Sequence, residues 1–383
     1  MSFIHASIFY IHLKTFFKII YLQCFKHFSV KRLLITVLFL VLFSIVSFLV
    51  IFFRLVDEIL FPGYRKVEIK KPVFIIANPR SGTTFLHRLF CLDDERYGYT
   101  LLYHTILPSI TIFKIIDFFG AIDRRIGRPM RRTFDYLDGI FFKGWENIHP
   151  MGFNQSEEDE GTFIFTLITS GIFLLCPYMD EISYVRFPDT MPEKDRKALA
   201  AYYKSSLQRF MYAMGTDKIF LSKNVMSTGR LDTIIETFPD ARIVYVVRSP
   251  YEAVPSFISM FSAAWKAHSP EIPEDSPYHR AWGYLAMDYY TYFHEHIRQL
   301  PEQQWYTLKY EDLVHAPKAE MIKIYNHFGM PVSGTFEERL NKASGRAKKY
   351  KSGHSYSLEQ YGMTREEVLA QLEPVFDKYG FEK

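Results

Sequence analysis

The run Val73-Phe74-Ile75-Ile76-Ala77, continued by Asn78-Pro79-Arg80-Ser81-Gly82-Thr83-Thr84, most constrains what this chain can fold into. A short β-branched and apolar run closed by Pro and Gly reads as a buried central strand, and Phe85-Leu86-His87-Arg88-Leu89-Phe90 then takes up helical spacing. Strand, tight loop and helix in that order aim several backbone N–H groups at one anion. Gly82 lets the backbone approach closely, Ser81, Thr83 and Thr84 add hydroxyl donors, and Arg80 adds a planar charged fork. A phosphate or sulfate ester is the expected ligand. The plainer alternative is a Ser/Thr-rich helix N-cap that holds only itself. The nucleotide-triphosphate loop GxxxxGK[ST] is not matched. No Lys follows Gly82 and the loop is roughly two or three residues too short, which disfavours a metal-dependent kinase.

A second apolar strand, Arg242-Ile243-Val244-Tyr245-Val246-Val247, ends in Arg248-Ser249-Pro250, and a helical stretch through Val254, Ser256 and Phe257 follows. Again a cation stands where a strand ends. Pro79-Arg80-Ser81-Gly82-Thr83-Thr84, then Arg248 with Ser256 in the following helix, resembles the sulfotransferase family in its bacterial and tyrosylprotein-sulfotransferase-like branch. Phe238-Pro239-Asp240-Ala241-Arg242, Tyr310-Glu311-Asp312-Leu313 and Ser357-Leu358-Glu359-Gln360-Tyr361-Gly362-Met363 are similar to the family's usual text. Each piece alone is weak, but the ordered set spans residues 70 to 380. The resemblance implies a P-loop-like three-layer α/β/α fold with a central parallel sheet. It also implies 3′-phosphoadenosine 5′-phosphosulfate (PAPS) as co-substrate and no metal.

Site residues follow from the same resemblance. Arg80, Ser81, Gly82, Thr83 and Thr84 match the 5′-phosphosulfate loop, and Arg248 and Ser256 match the 3′-phosphate pair. Arg346 and Lys348, with Lys349 and Lys351 ahead of Gly353-His354-Ser355-Tyr356, form a basic Gly/Ser-bearing loop expected to close over the same 3′-phosphate. Lys223, in Phe220-Leu221-Ser222-Lys223-Asn224, falls where the family often carries a Lys near the bridging oxygen. An in-line sulfuryl transfer resembles a phosphoryl transfer, so positioning and charge stabilisation should dominate. A general base must also accept the acceptor's proton. His104, about 20 residues beyond the loop where many bacterial members have a Glu, is the first candidate. Glu157 and Glu158, in a segment similar to the family's Pro-Glu-Glu, are the alternative, and His149 is third.

Leu33 to Phe53 is an apolar run interrupted only by Thr36, Ser44 and Ser47, about 21 residues and long enough to cross a bilayer. It starts too late and is too long for a signal peptide, and it lacks a small-residue cleavage site. The expected organisation is a basic amphipathic segment over 1–32, a membrane-anchoring helix over 33–53, a linker over 54–71 and the sulfotransferase domain over 72–383. Phe3 to Phe25 suits an interfacial basic helix, and a hairpin dipping into one leaflet is the alternative to a single span. Basic residues are nearly balanced on the two sides of the run, so charge does not orient it. Cys24, Cys91 and Cys176 are too few and too scattered for a disulfide framework, which favours a cytoplasmic catalytic domain. A net charge of +4 spread over 383 residues gives no argument for nucleic acid.

Between the two anion segments, Gly161 to Leu175 is apolar almost all round and is expected as one buried helix, or as a wall of an acceptor pocket. Further helices are expected from about Glu193 to Met214, Thr228 to Phe238, Tyr278 to Leu300, Lys318 to Phe328 and Arg365 to Lys378, punctuated by Pro192, Pro239, Pro317 and Gly380. An aromatic content of 17% points to apolar contacts beyond an ordinary core. Taken with the membrane run, this favours a small-molecule or lipid acceptor such as a sterol, comparable to gut-bacterial sterol sulfotransferases. A carbohydrate acceptor is the runner-up, and a non-catalytic nucleotide-binding membrane protein is the reading from another class.

Overall fold

The structure is a computed structural model that describes residues 3–78, 80–133, 136, 156–347 and 356–383. Five parallel strands form its sheet: β1 (Val73–Ala77), β2 (Tyr97–Tyr99), β3 (Ile219–Lys223), β4 (Arg242–Val247) and β5 (Trp305–Lys309), in the order β2-β3-β1-β4-β5. β1 is central and buried along its whole length. That burial explains why it reads as a continuous apolar run rather than an alternating one.

The chain enters through α1 (Phe3–Ile8), α2 (Leu13–Tyr21) and α3 (Val30–Leu60). Next come α4 (Thr83–Phe90), α5 (Leu102–Ile106) and α6 (Ile110–Arg125). Then follow α7 (Glu193–Met214), α8 (Leu231–Thr237), α9 (Pro250–His268) and α10 (Pro277–His296). The last are α11 (Tyr310–His315), α12 (Pro317–His327), α13 (Gly334–Ala347) and α14 (Arg365–Tyr379). Alternate strand residues serve opposite faces. Phe74, Ile76, Ile243 and Tyr245 join the cluster built with α7 to α10 and α14. Val73, Ile75, Val244 and Val246 join the one built with α4, α12 and α13. The result is the expected three-layer α/β/α arrangement.

One expectation is corrected. Gly161 to Leu175 is not a single helix but two 3₁₀ turns, Asp159–Thr166 and Ser170–Leu174, broken at Leu167 with φ +58°. Threonine side chains supply the break: Thr166 Oγ1 accepts from the Ile168 N–H at 3.0 Å, and Thr169 Oγ1 accepts from the Gly171 N–H at 2.9 Å. Such local bonds compete with the helical ladder. The burial expected of the stretch is present, with Phe163, Phe165 and Phe173 in the core. Gly161 lies so close to α5 that a Cβ there would come within 2.4 Å of Thr105 Oγ1.

α3 extends beyond the apolar run into the stretch expected as a linker, so that Arg54 and Asp57 are helical and buried. The segment ahead of α3 packs on the same body: the His12 N–H donates to the Thr166 carbonyl at 3.0 Å and Gln23 Nε2 to the Leu175 carbonyl at 2.6 Å.

Candidate active site

Register brings the site together at one end of the sheet. Ile75 of β1 lies opposite Lys223 of β3 and Val244 of β4, so the C-terminal ends of three parallel strands converge where their loops leave for the next helices. Asn78, wholly buried, ties the loop root down: it accepts from the Tyr245 hydroxyl at 2.7 Å and donates to the Ala286 carbonyl.

Beyond Pro79, which lies outside the described residues, the loop uses left-handed backbone at Arg80 (φ +67°) and at Gly82 (φ +83°). At Gly82 glycine is required twice over, since a Cβ would also meet the Tyr310 ring at 2.6 Å. Ser81 is wholly buried, and its Oγ has no hydrogen-bond partner among the described residues. An unsatisfied buried hydroxyl costs about 1–3 kcal/mol, so it fits a donor kept for a ligand oxygen.

The two anion segments seen in the sequence form one surface. Arg80 Nε donates to Ser256 Oγ at 3.2 Å, and Arg248 Nη1 donates to the Arg80 carbonyl at 2.9 Å. The Arg248 guanidinium sits 4.5 Å above the Tyr310 ring and pairs with Glu252 at 2.6 Å. The Tyr290 hydroxyl donates to the Arg248 carbonyl at 2.6 Å, which fixes the backbone from which this arginine reaches out.

Lys223 closes the site from below. Its side chain is 1% exposed, and Nζ lies 3.3 Å from Thr84 Oγ1, 3.3 Å from Glu158 Oε1 and 3.8 Å from Glu157 Oε1. A buried ammonium persists only where hydroxyls and carboxylates replace its water. The acidic run supplies those groups because its other half is anchored. Asp159 accepts from Ser222 Oγ at 3.1 Å and bonds the Tyr203 hydroxyl, and burial raises its pKa to about 6. Glu160 receives both terminal nitrogens of Arg230, at 2.6 and 3.0 Å, and Asn224 Nδ2 at 2.7 Å. The neighbours of Lys223 on either side therefore pin Asp159 and Glu160, which leaves Glu157 and Glu158 facing the lysine. Glu157 also accepts the Glu158 N–H at 3.1 Å, and its own N–H donates to the Thr100 carbonyl at 3.0 Å.

His104 is placed differently. It is buried on α5, its Nδ1 accepts the Leu101 N–H at 3.0 Å, and its ring is edged by Phe113 and Phe210. Burial pushes its pKa down to about 3. Arg346 is on α13, where the backbone alone is described, and Lys348 and His149 lie outside the described residues. Sequence reasoning missed Asp159, Glu160, Arg230 and Asn224 as the anchors of the site. Their partners lie 44 to 70 positions away, so no local spacing announces them.

Residues 177–334 match the profile described as the sulfotransferase family. This stretch of the chain is similar to that family. It is similar to the omega-hydroxy-beta-dihydromenaquinone-9 sulfotransferase Stf3 of Mycobacterium bovis, with 25% identity over 327 residues covering 82% of this chain and 76% of the relative. The Stf3 of Mycobacterium tuberculosis matches to the same extent. Among solved structures, sulfotransferase STF1 of Mycobacterium tuberculosis superposes with a TM-score of 0.61 at 22% identity, over 85% of this chain and 83% of that one. Sulfotransferase STF9 of Mycobacterium avium gives a TM-score of 0.66 at 16% identity, over 84% and 80%. These structures share the fold, and the family match with the named relatives supports a sulfotransferase enzyme.

Proposed function

We propose that this sulfotransferase moves the sulfuryl group of PAPS to a hydroxyl of an apolar, lipid-like acceptor, working at a membrane. The observation that carries the reading is the single surface formed by Arg80, Arg248 and Ser256 beside the buried, unpartnered Ser81 hydroxyl. These residues fit a doubly phosphorylated donor. Arg80, the Ser81 hydroxyl and the N–H groups of Gly82 to Thr84 would hold the 5′-phosphosulfate, and Arg248 with Ser256 the 3′-phosphate. When bound, PAPS supplies an electrophilic sulfuryl group on a phosphate leaving group.

The chain's own groups divide the remaining work. Lys223, held against Thr84 at the loop, offsets negative charge that builds up beside the loop hydroxyls. Glu158 takes the proton of the acceptor hydroxyl. It is the more exposed of the two carboxylates at the lysine, with 21% of its side chain accessible against 6% for Glu157. Glu157 orients it through the Glu158 N–H. His104, with both its pKa and its Nδ1 committed to a buried role, serves the packing of α5.

Two things support the acceptor class: a relative named for omega-hydroxy-beta-dihydromenaquinone-9, and a helix, α3, long and apolar enough to cross a membrane. The test is incubation of detergent-solubilised protein with ³⁵S-labelled donor and either a lipid or a polysaccharide extract, with Arg248→Ala as control. Labelled lipid that disappears in the variant is expected. Labelled polysaccharide alone would replace the acceptor assignment, and donor binding without any label would overturn the reading.

A further inference from the structure

We infer that α3 does not cross a bilayer: it lies along one leaflet, with both of its ends on the side of the catalytic body. The inference deepens the membrane attachment proposed above and rests on it. Three observations carry it.

The first is that both ends of the helix are fastened to the same body. Near its start, Arg32 is buried, donates to Ser269 Oγ at 3.1 Å and pairs with Glu271 in the loop after α9. Near its end, Arg54 donates to Ser206 Oγ at 2.8 Å, and Asp57 pairs with Arg209 at 3.2 Å, both partners being on α7. At 1.5 Å per residue these fastenings are about 33 Å apart, close to the thickness of a bilayer's hydrocarbon core. A spanning helix would have to carry them to opposite surfaces. The middle of the helix is also in contact, with Val50 wholly buried and Phe43 6.2 Å from Phe165.

The second observation is that the amphipathicity is inverted. The face turned to the protein runs Arg32, Thr36, Phe43, Ser47, Val50, Arg54 and Asp57, a seam at helical spacing that gathers most of the helix's polar residues. The opposite face exposes Leu38, Ile45 and Phe52 among many other apolar side chains. A helix packed on a soluble protein in water shows the reverse arrangement. Burying charges on the protein side while presenting a full-length apolar face is favourable only when that face meets hydrocarbon.

The third is that the exposed apolar surface is shared. Phe17 and Phe25 around α2 and Phe118 and Phe119 on α6 are exposed, and α6 packs on α3. Exposed Lys14, Lys31, Lys114 and Arg124 lie on the same three helices, as expected for side chains that reach anionic headgroups from a partly immersed surface. A single phospholipid leaflet is the occupant that matches a broad apolar face edged with cations.

The test uses the full chain reconstituted in phosphatidylethanolamine–phosphatidylglycerol vesicles. Nitroxide labels are placed one at a time at Leu38→Cys, Ile45→Cys and Phe52→Cys, exposed positions on one stripe, with Cys24 and Cys91 replaced by Ser. Immersion depth is read from the relative accessibility to oxygen and to a water-soluble nickel complex. An in-plane helix puts the three labels at the same depth. A spanning helix puts Ile45 deepest, with the other two displaced by about 10 Å along the axis, and that result overturns the inference. Flotation of the same samples separates the two readings: a chain that floats but shows graded depth refutes only the in-plane placement, whereas one that fails to float refutes membrane attachment itself. Sulfuryl transfer, measured in parallel, reports on the catalytic reading independently of both.

Discussion

Replacing Gly82 by Ala adds one methyl group at the point where the anion loop meets Tyr310. Two costs can be worked from the structure. The backbone there has φ +83°, a region that costs an L-residue about 1–2 kcal/mol. The new Cβ would also lie 2.6 Å from the Tyr310 ring, and relieving overlap of that kind in a packed site costs about 1–3 kcal/mol. Together they amount to about 2–5 kcal/mol borne by the loop conformation proposed to receive the donor. Since each 1.4 kcal/mol is tenfold, affinity for adenosine 3′,5′-bisphosphate should fall by about 30-fold or more. Titration calorimetry on the solubilised protein measures it. Tyr310→Ala provides the internal control, because in a double-mutant cycle it removes the steric part and leaves the backbone part of the loss. Binding by Gly82→Ala within twofold of the native protein, with an unchanged thermal midpoint, would refute the argument that this glycine shapes the site.

Other outcomes follow from neighbouring contacts. Lys223→Met should lower kcat by about 10²–10³ and leave the donor Kd within a few-fold, as read by initial rates and calorimetry. A kcat that survives would remove the lysine from the chemistry. His104→Gln should keep turnover close to native, since a glutamine oxygen can still accept the Leu101 N–H. Because the folded His104 pKa is depressed to about 3, the native state binds fewer protons than the unfolded chain below the ordinary histidine value. Its stabilising effect is full above pH 6.5 and is lost as pH falls towards 3, so the variant should show a shallower loss of thermal midpoint over that window. Arg230→Met should cost about 3–5 kcal/mol by leaving Glu160 buried without its ion pair, and the accompanying loss of turnover should track unfolding in a thermal melt.

The parts of the fold legible in the sequence are those with a local cause. β1 and its loop announce themselves because full burial forces an unbroken apolar run and the turn demands Gly82. α7 occupies Glu193–Met214 as its spacing predicts, and α10 begins at a proline one residue before the expected start. Gly161 to Leu175 was misread as one helix because composition reports burial but not backbone. Side-chain bonds from Thr166 and Thr169 decided the break, and these are invisible to a periodicity argument. The acidic run shows the same limit. Four consecutive carboxylates resemble a solvated patch until Ser222, Asn224 and Arg230 divide them into two anchored groups and two that face Lys223.

The sequence by itself determined a parallel α/β fold with a candidate anion loop, a second cation at the end of a later strand, and a long apolar helix. Each of these is written in consecutive residues, because strand burial, tight turns and bilayer length are local demands. Only the tertiary structure decided that Arg80 and Arg248, 168 positions apart, share one surface, that Lys223 meets a pair of glutamates, and that α3 turns its polar seam inward. Those outcomes depend on strand order and helix docking, which bring distant side chains within a few ångströms of one another. No spacing along the chain encodes that proximity.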